Sequence, residues 1–97
     1  TLADVWRDIE RVATAIGAGN LGREVSTELR NRVDSIAAKT TREADTESRP
    51  SVACIEWIDP LMAAGNWVPE LVELAGGRNL FGRNGEHSPW LDWSVLR

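Results

Sequence analysis

The sequence predicts an α/β protein in which long amphipathic helices precede a partial parallel β-α-β lobe. Three observations predict it. Two consecutive stretches repeat apolar residues every three to four positions, the stripe of a helix packed along one side. The run Ser51 to Ile58 is rich in apolar and β-branched residues, which suits a strand buried on both faces of a parallel sheet. A short Pro-led helical segment then separates that run from a second strand-like stretch, giving strand, helix, strand.

The first helix spans about 2–16, with Leu2, Val5, Ile9, Val12 and Ile16 on one stripe and Trp6 and Ala13 beside it. Thr1 with Asp4 has the spacing of a capping box. Gly17 and Gly19 mark its stop, since glycine tolerates the left-handed conformation that closes a helix. The second helix spans about 20–41, with Leu21, Val25, Leu29, Val33 and Ile36 as its packed stripe and charged residues over the other faces. Its length of roughly 30 Å would let it bridge two lobes.

From Thr40 to Pro50 no large apolar residue occurs, so the stretch is expected as an exposed connection. Beyond the strand at 51–58, DPLMAAGNW reads as a loop. Pro69 then opens a short helix carrying Leu71, Val72, Leu74 and Ala75, and Gly76-Gly77 end it. Asn79 to Phe81 reads as a second short strand, and the remainder as loop leading into an unfinished element. The division is therefore a helical segment at 1–42, a linker at 43–50 and a partial α/β lobe at 51–97.

Charge and size exclude several functions. Acidic residues outnumber basic ones by 15 to 11, and no Lys/Arg run could neutralise phosphates, which argues against nucleic acid. One cysteine, Cys54, allows no internal disulfide and reads as a small buried hydrophobe. No apolar stretch approaches the ~20 residues of a membrane span.

The chain does not read as an enzyme. Glu56, Asp59, Glu86 and His87 form two separated clusters with a single histidine, so their spacing specifies no metal and no acid–base pair. Cys54 with His87 would need an exposed thiolate, whereas a mid-strand thiol is normally buried and unreactive. Gly76-Gly77 and Asn84-Gly85 read as turns, because neither follows a strand and opens a helix as a phosphate loop does.

Tryptophan is the informative residue: there are five, with no Tyr and one Phe. Trp57, Trp67 and Trp90 fall at or just after the expected element ends, where α/β sheets bind ligands. Such rings offer a rigid apolar surface with one N–H donor, suited to a large planar ligand. They equally suit plain loop packing, and the residues alone leave both readings open.

The segment VACIEWIDPLMAAGNWVPELVELAGGRNLFG, followed by GEHSPWLDW, resembles the start of the second lobe in cobalamin-binding-type periplasmic solute-binding proteins of ABC transporters. The E-W-x-D-P strand end, the AGNWVPELVELAGG loop and helix, the NLFG strand and the SPW loop occur in the family's order, and two helices precede them. The resemblance implies a helical-backbone periplasmic-binding-protein fold, of which this chain is a piece: a first lobe upstream of Thr1 and further elements after Arg97. It also implies capture of a corrinoid between the lobes and delivery to a permease, in a periplasmic or extracellular setting with a membrane-anchored lipoprotein as one form of the parent. Trp90 is implied as the ring against the corrin, and Trp57, Trp67 and Asp59 as neighbours on the same cleft. No cofactor and no metal ligand are implied. Leu96 stands where the family's permease-docking glutamate would align. A ferric siderophore or haem is the alternative ligand. Self-association through the amphipathic helices is the alternative function.

Overall fold

The computed structural model describes residues 1–43 and 49–96, so much of the 43–50 linker lies outside the described residues. Thr1 caps helix α1 (Leu2–Ala15). Its hydroxyl accepts from the Asp4 N–H and the Asp4 carboxylate returns to the Thr1 nitrogen, a reciprocal capping box. The Thr1 hydroxyl, and with it the Arg7 guanidinium, hold the exposed Asp4 carboxyl down at about 2. Gly17, at φ 78°, ends the helix and turns the chain into α2 (Gly19–Glu43).

The two helices form a hairpin whose closest approach is set by small residues. A Cβ on Gly22 would fall 2.3 Å from the Ala13 Cβ, so α2 lies against α1 at van der Waals distance there. On one flank of this seam Arg30 pairs with Glu10 at 3.5 Å, and Arg7, Thr14 and Arg23 border the same groove. At 100° per residue, the opposite flank carries Val5, Ile9 and Val12 of α1, Ile16 at its C-cap, and Leu21 and Val25 of α2. This flank is open: Ile16 is 76% and Leu21 59% exposed.

The packed stripe of α2 is therefore not the one its large apolar residues predict. Leu29 and Val33 are half-buried as expected, but Leu21, Val25 and Ile36 are exposed, while Gly22 and Ser26 are buried. Close backbone approach favours small side chains over large ones, and rotates the helix accordingly. One consequence is a hydroxyl with nothing to bond: Ser26 is 0% exposed and its Oγ has no hydrogen-bond partner among the described residues. An orphaned buried hydroxyl costs about 1–3 kcal/mol, and alanine is the better helix former. Ser26→Ala is expected to stabilise the chain by about 1 kcal/mol and raise the melting temperature by roughly 4–8 °C. A calorimetric scan showing no rise would mean that the hydroxyl has found a partner.

Beyond the helices the protein is mixed α/β, with two small sheets. Strand β1 (Ser51–Val52) and strand β4 (Arg78–Asn79) pair in parallel, Ser51 with Arg78 and Val52 with Asn79. Between them in sequence come β2 (Ile55–Ile58), β3 (Leu61–Ala63) and α3 (Val68–Leu74). The parallel pair with α3 in its connection bears out the coarse strand, helix, strand expectation. The single strand expected at 51–58 is corrected: it divides at Ala53-Cys54, and its second half is exposed at all four positions. That half pairs antiparallel with β3 across the Asp59-Pro60 turn, whose peptide bond is cis. The expected loop DPLMAAGNW thus contains a strand, with Leu61 and Ala63 buried on its inner face.

Helix α3 begins with Pro69 in its first turn, as predicted, and joins the small sheets to the hairpin. Its Glu70 carboxylate accepts from the Leu2 N–H at 2.9 Å. At its other end the Leu74 carbonyl accepts from the Thr40 hydroxyl, also at 2.9 Å.

Candidate functional site

The candidate site is a row of side chains across the β2–β3 hairpin. In β2, Trp57 pairs with Met62 of β3, and Met62 pairs on its other side with Trp90, which adds a third, single-residue strand. The bonds Ala63 N–H to Pro89 O (3.1 Å) and Leu91 N–H to Leu61 O (2.9 Å) fix that second pairing. Residues opposite one another on paired strands put their side chains on the same face. Trp57, Met62 and Trp90 therefore share one face, and because Leu61 and Ala63 point into the core it is the outer one. With strand spacings near 4.8 Å, the two indoles are carried on backbones about 10 Å apart. Trp57 is 61% and Trp90 65% exposed.

The two rings are held differently. The Trp57 Nε1–H donates to the Asp59 carbonyl at 2.8 Å, which folds the indole back over the hairpin turn and fixes its plane. The Trp90 ring has no such tether among the described residues, and its N–H remains available to an incoming acceptor.

Trp90 owes its place to the loop before it. The Asn66 N–H donates to the Glu86 carbonyl and the Gly85 N–H to the Asn66 carbonyl, both at 2.7 Å. Ser88, nearly fully buried, accepts from the Gly65 N–H at 3.2 Å and donates to the Glu56 carboxylate. Gly65 and Gly82 allow this seating, since a Cβ on either would strike backbone atoms of the facing segment. Glu56 thus serves as a hydrogen-bond acceptor for loop structure. His87 meets the neighbouring Ser88 carbonyl through Nδ1, and Glu86 pairs with Arg83 at 3.7 Å.

Of the four residues singled out in the sequence, the structure brings Trp57, Trp90 and Asp59 to this hairpin. Trp67 lies elsewhere: it borders a shallow groove with Val5, Ile9, Val12 and Ile16, on the open flank of α1. Trp57 is the penultimate residue of β2, at the strand's end as expected, and its ring is exposed. Sequence reasoning missed Met62, Ser88 and Asp92. Had Asp59-Pro60 been taken as a two-residue turn, counting outward from it would have paired Trp57 with Met62.

Asp92 follows Trp90 by two residues, just after the Leu91 N–H to Leu61 carbonyl bond. Its carboxyl is held below the usual value by the Ser94 hydroxyl and by the Ser94 N–H, which donates to Oδ1 at 2.8 Å. Cys54 is half-buried and unpaired. Among the described residues no group of three His, Cys, Asp or Glu side chains could hold a metal ion, and no helix is long and apolar enough to cross a membrane. Compared with protein-family models, curated proteins and solved structures, the chain matches none.

Proposed function

We propose that the chain is part of a solute-binding component of an ABC transporter, with the helical-backbone periplasmic-binding-protein fold, and that it contributes one wall of a corrinoid-binding cleft. The observation that carries the proposal is the Trp57–Met62–Trp90 row, with both indoles exposed and the half-buried Met62 between them. Exposed large apolar residues in one cluster mark a binding surface, and two indoles with a thioether between them present a flat, polarisable floor. Its width of about 10 Å matches a macrocycle better than a peptide side chain. The resemblance of 52–93 to the second lobe of cobalamin-type receptors supports the choice of ligand, and the long α2 suits the helical backbone joining two lobes. In this reading the parent works in the periplasm or outside the cell, the ligand is released to a permease, and no catalytic step occurs. The open flank of the helical hairpin, with Trp67 at its edge, is the surface on which the absent lobe would rest.

A titration tests the proposal through the five indole N–H resonances. Cyanocobalamin is expected to shift those of Trp57 and Trp90 and to leave that of Trp6 in place. Trp90→Ala should weaken binding about tenfold, the equivalent of 1.4 kcal/mol for one buried ring. No shift up to 1 mM ligand, about −4.1 kcal/mol, would defeat the corrinoid assignment; shifts with haem or a ferric hydroxamate alone would move it to those ligands. The helical hairpin supports a second reading, self-association through Ile9, Val12, Ile16 and Leu21. A monomer by sedimentation at millimolar concentration excludes it.

A further inference from the structure

We infer that Asp59 and Asp92 make the tryptophan row selective by charge, admitting neutral or cationic planar ligands and turning away anionic ones of the same shape. The inference rests on the reading of the row as a ligand wall, and adds to it the sign of the ligand's charge.

Each of the two indoles of the row is followed two residues later by an aspartate: Trp57 by Asp59, Trp90 by Asp92. The bond from Trp57 Nε1 to the Asp59 carbonyl lays that ring over the residue bearing the first carboxylate. The second follows directly after Leu91, whose N–H bond to the Leu61 carbonyl is the last of the Trp90 pairing, so it too stands two residues from its indole. Both residues are exposed, and the Ser94 hydroxyl and N–H hold the Asp92 carboxyl below its usual value. A third carboxylate, Glu56, precedes Trp57 and is engaged with Ser88.

Two guanidiniums of the described residues nearest in sequence to the row are engaged elsewhere. The Arg78 guanidinium donates to the Ser51 hydroxyl on the parallel sheet. Arg83 pairs with Glu86 and lines a groove with Pro89 and Leu91, which flank Trp90 in sequence and alternate onto the opposite face. A planar ligand laid on the row therefore has two carboxylates near its edge, with the Arg78 and Arg83 guanidiniums engaged elsewhere. Within a Debye length, about 10 Å at 0.1 M salt, those charges act on the ligand's rim groups. Electrostatic complementarity of this kind selects among ligands whose apolar contact is equal.

Two porphyrins of one ring size and opposite charge test this: the tetrakis(N-methylpyridyl) tetracation and the tetrasulfonated tetraanion. At about 20 mM salt the cation is expected to bind at least tenfold tighter, with shifts at the Trp57 and Trp90 indole N–H. At about 500 mM salt the gap should fall below threefold as screening shortens. Asp59→Asn with Asp92→Asn should narrow the low-salt gap at least threefold. Glu24→Gln with Glu28→Gln, which changes the net charge equally on α2, should leave it unchanged. Equal binding of both porphyrins, or equal narrowing by the α2 pair, overturns the selectivity and leaves the ligand wall standing. Binding of neither overturns the wall and the selectivity with it.

Discussion

Gly82→Ala is expected to cost the fold about 3 kcal/mol and to release Trp90 from the row. Two terms add. Gly82 stands at φ 73°, and a left-handed backbone costs an alanine roughly 1–2 kcal/mol. Its Cβ would also lie 2.2 Å from the Ala64 carbonyl oxygen, a backbone atom that cannot swing aside. Relief requires the 82–88 loop to lift from Ala64-Gly65, an overpacking cost of about 1–3 kcal/mol. With an m-value of about 1–3 kcal/mol/M, the urea midpoint should fall by 1 M or more. The Trp90 indole resonance should move toward its random-coil position before the others. Gly65→Ala should act in the same direction, since its Cβ would meet the Glu86 carbonyl oxygen at 2.6 Å and the Ser88 nitrogen at 2.8 Å. An unchanged midpoint in both variants would mean that the loop is not seated on this pair of residues.

Gly22→Val is the second large effect, about 2–3 kcal/mol, and it strikes the helical hairpin. The added Cβ at 2.3 Å from that of Ala13 forces the helices apart, against a gain of under about 1 kcal/mol from replacing glycine in a helix interior. Overpacking exceeds propensity here. Ala13→Gly in the same chain removes the opposing methyl and should recover part of the loss despite its own propensity cost. A coupling of about 1–2 kcal/mol in the double-mutant cycle is the expected signature of direct contact. Simple additivity of the two changes would place the close approach elsewhere along the seam.

These glycines also explain where the sequence is legible. Helices α1, α2 and α3 follow from periodicity, the Thr1–Asp4 cap and Pro69, all of which are local signals acting within a turn or two. The buried face of α2 does not, because a stripe of large apolar residues points to the core only where there is room for them. At the α1–α2 seam the spacing is set by Gly22 and Ser26, and the bulky Leu21 and Val25 are displaced to the outside. Gly22 and Ser26, small residues four apart on one face of the helix, with Gly22 against Ala13, are the available sign of a tight crossing.

The hairpin was hidden for a different reason. Short two-residue β-turns usually announce themselves with Asn-Gly or Asp-Gly, whereas this one uses Asp59-Pro60. Without it, a continuous apolar run is indistinguishable from one strand buried on both faces. The tryptophans were picked out by residue type, but their alignment was not. The contact of Met62 with Trp90 joins segments distant in sequence, and no local pattern encodes a one-residue bridge. Trp67 illustrates the same limit, since its side of α3 is decided by how α1 lies beside it.

Helix α3 has seven residues, too few to persist as a helix on its own in water. It endures because each end is fastened to a different neighbour: Glu70 to the head of α1, the Leu74 carbonyl to Thr40 near the tail of α2. A crossbar fixed at both ends cannot melt while its supports stand, nor can either support drift without dragging it. The amides of α3 should therefore exchange in step with those of the hairpin, as one cooperative unit.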